Sequence, residues 1–128
     1  MQLRFQSFLV ALALMFVLGC NRQVPTAVPG PAPLAVSSQL EAALAIQNPI
    51  QRDEALGAVA QTAADAGNGG IAMNAVAAIM NPIAKDEIAA QSAGKLAKAG
   101  KGAEATAIAK IIQNPIKRDK TLLDLSKL

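Results

Sequence analysis

The sequence contains no histidine, tryptophan or tyrosine, and its three phenylalanines, Phe5, Phe8 and Phe16, all lie near the N-terminus. Without histidine the commonest general base and metal ligand is missing, and neither a Ser-His nor a Cys-His nucleophile pair can be assembled. Beyond Phe16 there is no ring on which a nucleic-acid base could stack. The single cysteine, Cys20, excludes an internal disulfide and a cysteine-rich metal site. Gly67-Asn68-Gly69-Gly70 follows no strand pattern, so it reads as a turn between helices rather than a phosphate loop. Carboxylates cluster no further than the neighbours Asp53-Glu54 and Asp86-Glu87, which fall in first turns of helices where acidic groups suit the macrodipole. These absences point away from an enzyme, and away from a cofactor, a metal, a small-molecule substrate and nucleic acid.

What is present is apolar and small. The chain is 52% hydrophobic but only 2% aromatic, and much of the apolar fraction is alanine. Alanine has the highest helix propensity and lets helices approach closely, whereas a β-sandwich needs Val, Ile, Tyr and Phe. The expected fold class is all-α, and 128 residues are enough for one domain.

The N-terminus reads as an address. Arg4 precedes an apolar run from Phe8 to Leu18, and then come Gly19 and Cys20. A run of that length is too short to span a bilayer, which takes about 20 residues, and fits a cleaved signal. Val17-Leu18-Gly19-Cys20 resembles the bacterial lipobox. The resemblance implies cleavage between Gly19 and Cys20, a lipidated Cys20, and export to the cell membrane or outer membrane with the domain on the periplasmic or extracellular side. Several acyl chains would hold the protein on that membrane, since each buried methylene contributes about 0.8 kcal/mol. Asn21 rather than Asp after the cysteine favours the outer membrane where one exists. An ordinary signal peptide and an uncleaved anchor are the competing readings.

Residues 1–19 are therefore expected to be the signal peptide and 20–36 a tether. Pro25, Pro29, Pro31 and Pro33 crowd that second segment, and proline removes backbone donors and disfavours helix in the residue before it. An extended spacer of this kind reaches roughly 50 Å at about 3.1 Å per residue; a proline-rich ligand for another module is the alternative.

Residues 37–128 repeat. Asn48-Pro49-Ile50, Asn81-Pro82-Ile83 and Asn114-Pro115-Ile116 recur at a spacing of 33, and the likeness extends to Ala45-Ile46 with Ala78-Ile79, and to Ala66-Gly67 with Ala99-Gly100. A fixed period of this size marks stacked helix-turn-helix units, because one hairpin cannot bury its own apolar face. Each Asn caps a helix whose first residue is Pro. Gly67 and Gly100 sit where a helix ends on a left-handed residue. The spacing predicts helices at about 37–47, 49–66, 71–80, 82–99, 103–112 and 115–127.

Period, layout, small residues at packing positions and the proline after each second helix resemble the TPR-like superfamily of α-solenoids over residues 37–128. The period here is 33 rather than 34, the second helix is short, and the aromatic positions of the motif hold Ala or aliphatic residues. The resemblance implies antiparallel helical hairpins in a short right-handed solenoid, about six helices after the signal helix, acting as a protein-interaction scaffold.

Two polar features complete the reading. Arg52-Asp53, Lys85-Asp86 and Arg118-Asp119 recur at the same period and are expected to form ion pairs between adjacent units, with a groove for a charged peptide as the sharper alternative. From Asn21 to Glu87 three basic residues face six acidic ones, and from Ile88 to Leu128 eight basic residues face three acidic ones. The last helix carries leucine on more than one side, so Lys117, Lys120, Leu123 and Lys127 are the expected partner-binding residues. The whole points to an envelope lipoprotein with a membrane anchor and a protein partner. The alternative is a protein whose Lys-rich C-terminal end engages anionic lipid or cell-wall polymer.

Overall fold

The computed structural model describes residues 33–128, and over them it is all-helical. The elements are α1 (Pro33–Leu44), α2 (Pro49–Asp65), α3 (Gly69–Ala78), α4 (Pro82–Lys98), α5 (Gly102–Ala109) and α6 (Pro115–Leu125). The expected signal peptide and lipobox, with Gly19 and Cys20, and residues 20–32 of the expected tether lie outside the described residues.

Local chemistry sets the boundaries. The Asn48 side chain accepts from the Ile50 and Gln51 N–H groups, Asn81 from Ile83 and Ala84, and Asn114 from Lys117. Donors that the first helical turn leaves orphaned are thus satisfied, while the proline that follows each asparagine has no donor to satisfy. At the far ends of α2 and α4, Gly67 and Gly100 take φ of 69° and 75°. The Gly67 N–H bonds to Ala64 O at 3.0 Å and the Asn68 N–H to Ala63 O at 2.8 Å; Gly100 and Lys101 repeat the pattern onto Ala97 and Leu96. This is the Schellman arrangement, which needs a left-handed residue at the first position beyond the cap. Gly67→Val or Gly100→Val should each cost at least about 1–2 kcal/mol, the penalty of a β-carbon in that region, measured as a fall in the urea midpoint.

Two starts differ from the sequence expectation. α1 begins at Pro33 rather than near 37, so the last residues assigned to the tether are helical. Proline is tolerated there because first-turn N–H groups have no partner inside the helix; Val36, one turn in, is fully buried. α3 begins at Gly69 rather than 71, because Asn68 caps the Ile71 N–H at 3.3 Å and draws both glycines into the helix. The tight element is therefore Gly67-Asn68 alone.

The helices form two layers, α1, α3 and α5 in one and α2, α4 and α6 in the other, with each hairpin packed on the next. Between the layers lie Leu56, Val76, Ile79, Leu96, Ile108 and Ile112, all at 0–1% exposure, interspersed with fully buried alanines. Ser92, at the position held one period earlier by Val59, is also fully buried, and its hydroxyl has no partner among the described residues. Burial falls off at the ends of the stack. Ile79 and Ile112 are buried but Ile46, one period before them, is half-buried, while Leu56 is buried and Leu122, two periods on, is half-buried. α6 has no fully buried residue.

Candidate docking groove

The long helices α2 and α4 diverge enough to leave an open cavity of about 1000 Å³ between them. Its apolar lining comes from Ile50, Gly57 and Ala58 on α2, and from Met80, Ala84 and Ile88. Ile50 and Met80 remain 71% and 66% exposed. The floor is shallow where Gly57 faces Ile88, for a Cβ there would come within 3.3 Å of Ile88 Cδ1. At one end Lys95 Nζ meets Asp65 Oδ2 at 2.7 Å, at the other stands Asp53, and along the wall Gln61 Nε2 donates to Gln91 Oε1 at 2.8 Å. The result is an apolar trough with polar ends, of a size that seats several side chains of another chain.

The recurring aspartates do not form the expected ladder of ion pairs. The carboxylate of Asp53 accepts from the N–H groups of Met80 and Asn81 at 3.0 and 2.8 Å, and that of Asp86 accepts from Gln113 and Asn114 at 2.8 and 2.9 Å. Each aspartate, the fifth residue of its long helix and so just past the first turn where the sequence placed it, thus clasps the turn that opens the next long helix, 27 and 28 residues downstream. These N–H groups lie just ahead of the helical ladder and have no carbonyl opposite, so a carboxylate offering two charged hydrogen bonds suits them better than a flexible cation suits the carboxylate. The basic neighbours go elsewhere: the Arg52 guanidinium lies against Met80 Sδ and Lys85 Nζ donates to Ala77 O at 3.0 Å, where α3 ends. Only Arg118 and Asp119 pair with each other, at 3.6 Å and within one repeat.

Ion pairs do link the repeats, at a spacing of 30. Besides Asp65 and Lys95, Glu87 Oε2 accepts from Lys117 Nζ at 2.5 Å, and this hydrogen bond, with a second from Gln91, holds the Glu87 carboxyl below its ordinary pKa of 4.5. A depressed folded value means that the contact stabilises fully above 4.5 and loses its contribution as pH falls through the lower value. Glu87→Gln should therefore melt below the unsubstituted chain at neutral pH, and the gap between the two melting curves should close on acidification below that window.

Of the expected partner-binding residues, Lys117 is engaged with Glu87, and Lys127 Nζ lies 3.7 Å from Asp124. Leu123 is 56% exposed, and Leu122 and Leu125 pack against the core. Lys120 is exposed and lines a smaller groove of about 350 Å³ between α4 and α6. Gly19 and Cys20 lie outside the described residues. The groove residues Gly57, Ala58, Ala84 and Ile88 are not among the expected partner-binding residues, and Ile50, which the three- and four-residue spacing puts on one stripe with the buried Leu56, Val59 and Ala60, is instead 71% exposed, like its counterparts Ile83 and Ile116 at 79% and 81%. Among the described residues no group of three or more His, Cys, Asp or Glu could hold a metal ion, and no helix is long and apolar enough to cross a membrane. Compared with known proteins, the chain matches no family model, no curated protein and no solved structure.

Proposed function

We propose that this chain is an envelope lipoprotein, anchored through a lipidated Cys20, whose helical stack holds another protein in the groove between α2 and α4. The groove carries the reading: a concave site of about 1000 Å³, lined by exposed Ile50 and Met80 and by Gly57, has the shape and lining that seat apolar side chains of another chain. Its ends, Asp53 and the Asp65–Lys95 pair, supply polar groups that fix the orientation of what lies between them. The lipobox resemblance and the proline-rich stretch ahead of Pro33 support the placement on a membrane surface. No catalytic step is part of this reading.

The test has two arms in cells carrying the full chain. Cys20→Ser should abolish acyl labelling and leave the precursor uncleaved; normal processing of that variant would remove the anchor from the proposal. A photo-crosslinking residue at Ala58 should yield an adduct that one at the exposed, groove-remote Ala103 does not. Equal or absent adducts would remove the groove. Binding of the chain to vesicles that rises with anionic lipid and falls with salt would instead favour engagement of lipid through the Lys-rich end.

A further inference from the structure

Asp53 and Asp86 each hold the turn 27 and 28 residues downstream, and both do so with a pair of bonds between 2.8 and 3.0 Å. The third aspartate of the series, Asp119, holds no such turn among the described residues; its side chain is 74% exposed and meets only Arg118. At the opposite end of the stack, the first of the three Asn-Pro-Ile turns presents the N–H groups of Gln47 and Asn48, which have no acceptor among the described residues, whereas the matching groups of the later turns are both clasped. An acceptor without its turn and a turn without its acceptor thus lie at opposite ends of the same stack.

We infer that the chain stacks head to tail on a second copy of itself, Asp119 of one copy clasping the Gln47 and Asn48 N–H groups of the next. The repeat register determines the rest of the contact. α1 and α2 of the second copy take the places that a next short helix and a next long helix would occupy against α5 and α6. Leu123 stands at the position of Gly57 two periods earlier, and Gly57 faces Ile88. The residue opposite Leu123 is then Ala55 of the second copy, so a small residue against a large one inside the chain becomes a large one against a small one between copies. Half-buried Ile46, Leu122 and Leu125, whose internal counterparts Ile79, Leu56 and Val59 are buried, would lose their remaining exposure.

Charge runs the same way. α1 and α2 carry Glu41, Asp53, Glu54 and Asp65 against Arg52, a balance of −3, and residues 115–128 carry Lys117, Arg118, Lys120 and Lys127 against Asp119 and Asp124, a balance of +2. An acidic end meeting a basic end steers two copies into this order and opposes like-end contacts. A contact between unlike surfaces does not close at two copies unless the rotation per copy returns to the start, so assembly proceeds to longer stacks or to a ring.

Cross-linking at the 30-residue spacing tests this. Gln61 with Gln91, Asp65 with Lys95 and Glu87 with Lys117 place Lys120 opposite Gln51 of the next copy. Full chains in detergent, each with Cys20→Ser and either Gln51→Cys or Lys120→Cys, are mixed and treated with a short bismaleimide. The expected product is a 51-to-120 link identified by peptide mass, and a chain carrying both cysteines should give a ladder beyond the dimer. Asp119→Lys should lower the 51-to-120 yield at least tenfold with helicity and melting unchanged. Leu123→Asp, elsewhere on the same face, should lower it as well and guards against an Asp119 variant that misfolds. Dominant 51-to-51 or 120-to-120 links, a yield indifferent to both substitutions, or no link above that of the denatured chains would overturn the proposal.

Discussion

Asp86→Ala should cost the domain about 2 kcal/mol, and the three equivalent aspartates should rank Asp86, Asp53, Asp119 in the size of the effect. The order follows from burial and from what each carboxylate holds. Asp86 is 7% exposed and accepts two backbone N–H bonds. Truncation takes an acceptor away from two donors at once, and a single buried donor left unpaired costs about 1–3 kcal/mol. Gln113 and Asn114 are exposed, so water recovers part of the loss and keeps the total near the lower end. Asp53 makes the same two bonds from a half-buried position, where water replaces it more readily. Asp119 clasps no turn among the described residues and meets Arg118 on an exposed surface, where an ion pair contributes little. Urea unfolding of the three alanine variants at low protein concentration, where copies do not meet, measures the series. Equal losses at all three positions would mean that the clasp, which only Asp53 and Asp86 make, contributes nothing measurable to stability.

The same aspartates show where reading the sequence stops. The Asn caps, the prolines that follow them and the positive-φ Gly67 and Gly100 were legible, because each is a transaction among residues a few positions apart. The period and the all-helical class were legible because they are regular. The clasp was not, because it joins Asp53 to a turn 28 residues away and depends on how far one hairpin is displaced from the next; the adjacent Arg52 and Lys85 made an ion pair the simpler inference. Lys117 shows the same limit: one helix suggests a free cation at a basic end, and only the stack sets it against Glu87. Pro33 was placed in the tether on composition, whereas its position at the first turn is one that proline tolerates and the buried Val36 stabilises. The groove went unread because its decisive residue is Gly57, whose contribution is an absent side chain.

Gly69→Ala should destabilise the domain by about 1–3 kcal/mol, the usual cost of overpacking, even though the substitution exchanges a poor helix former for the best one. Gly69 is the first residue of α3, where propensity counts for little, and it lies directly against Glu104 of α5. A β-carbon there would meet Glu104 Cβ well inside contact distance and Glu104 Cγ at 2.6 Å. A change of χ1 can swing the Glu104 Cγ away, but its Cβ is fixed by the backbone, so no rotamer clears the closer contact and the helices themselves must separate. Separation would be felt by Ala72 and Ala105, which are fully buried in the same core and have no length with which to follow a retreating neighbour. Gly102, one period later, offers the control, for nothing lies within 4 Å of a β-carbon built on it. Gly102→Ala should leave the midpoint unchanged or raise it slightly. Glu104→Gly will itself weaken α5, but in that background the further change Gly69→Ala should cost much less than it does alone, and the difference is the coupling energy of the contact. Additive losses in that cycle would place the strain of Gly69→Ala somewhere other than the Glu104 root and would show that α3 and α5 are held apart by a different pair.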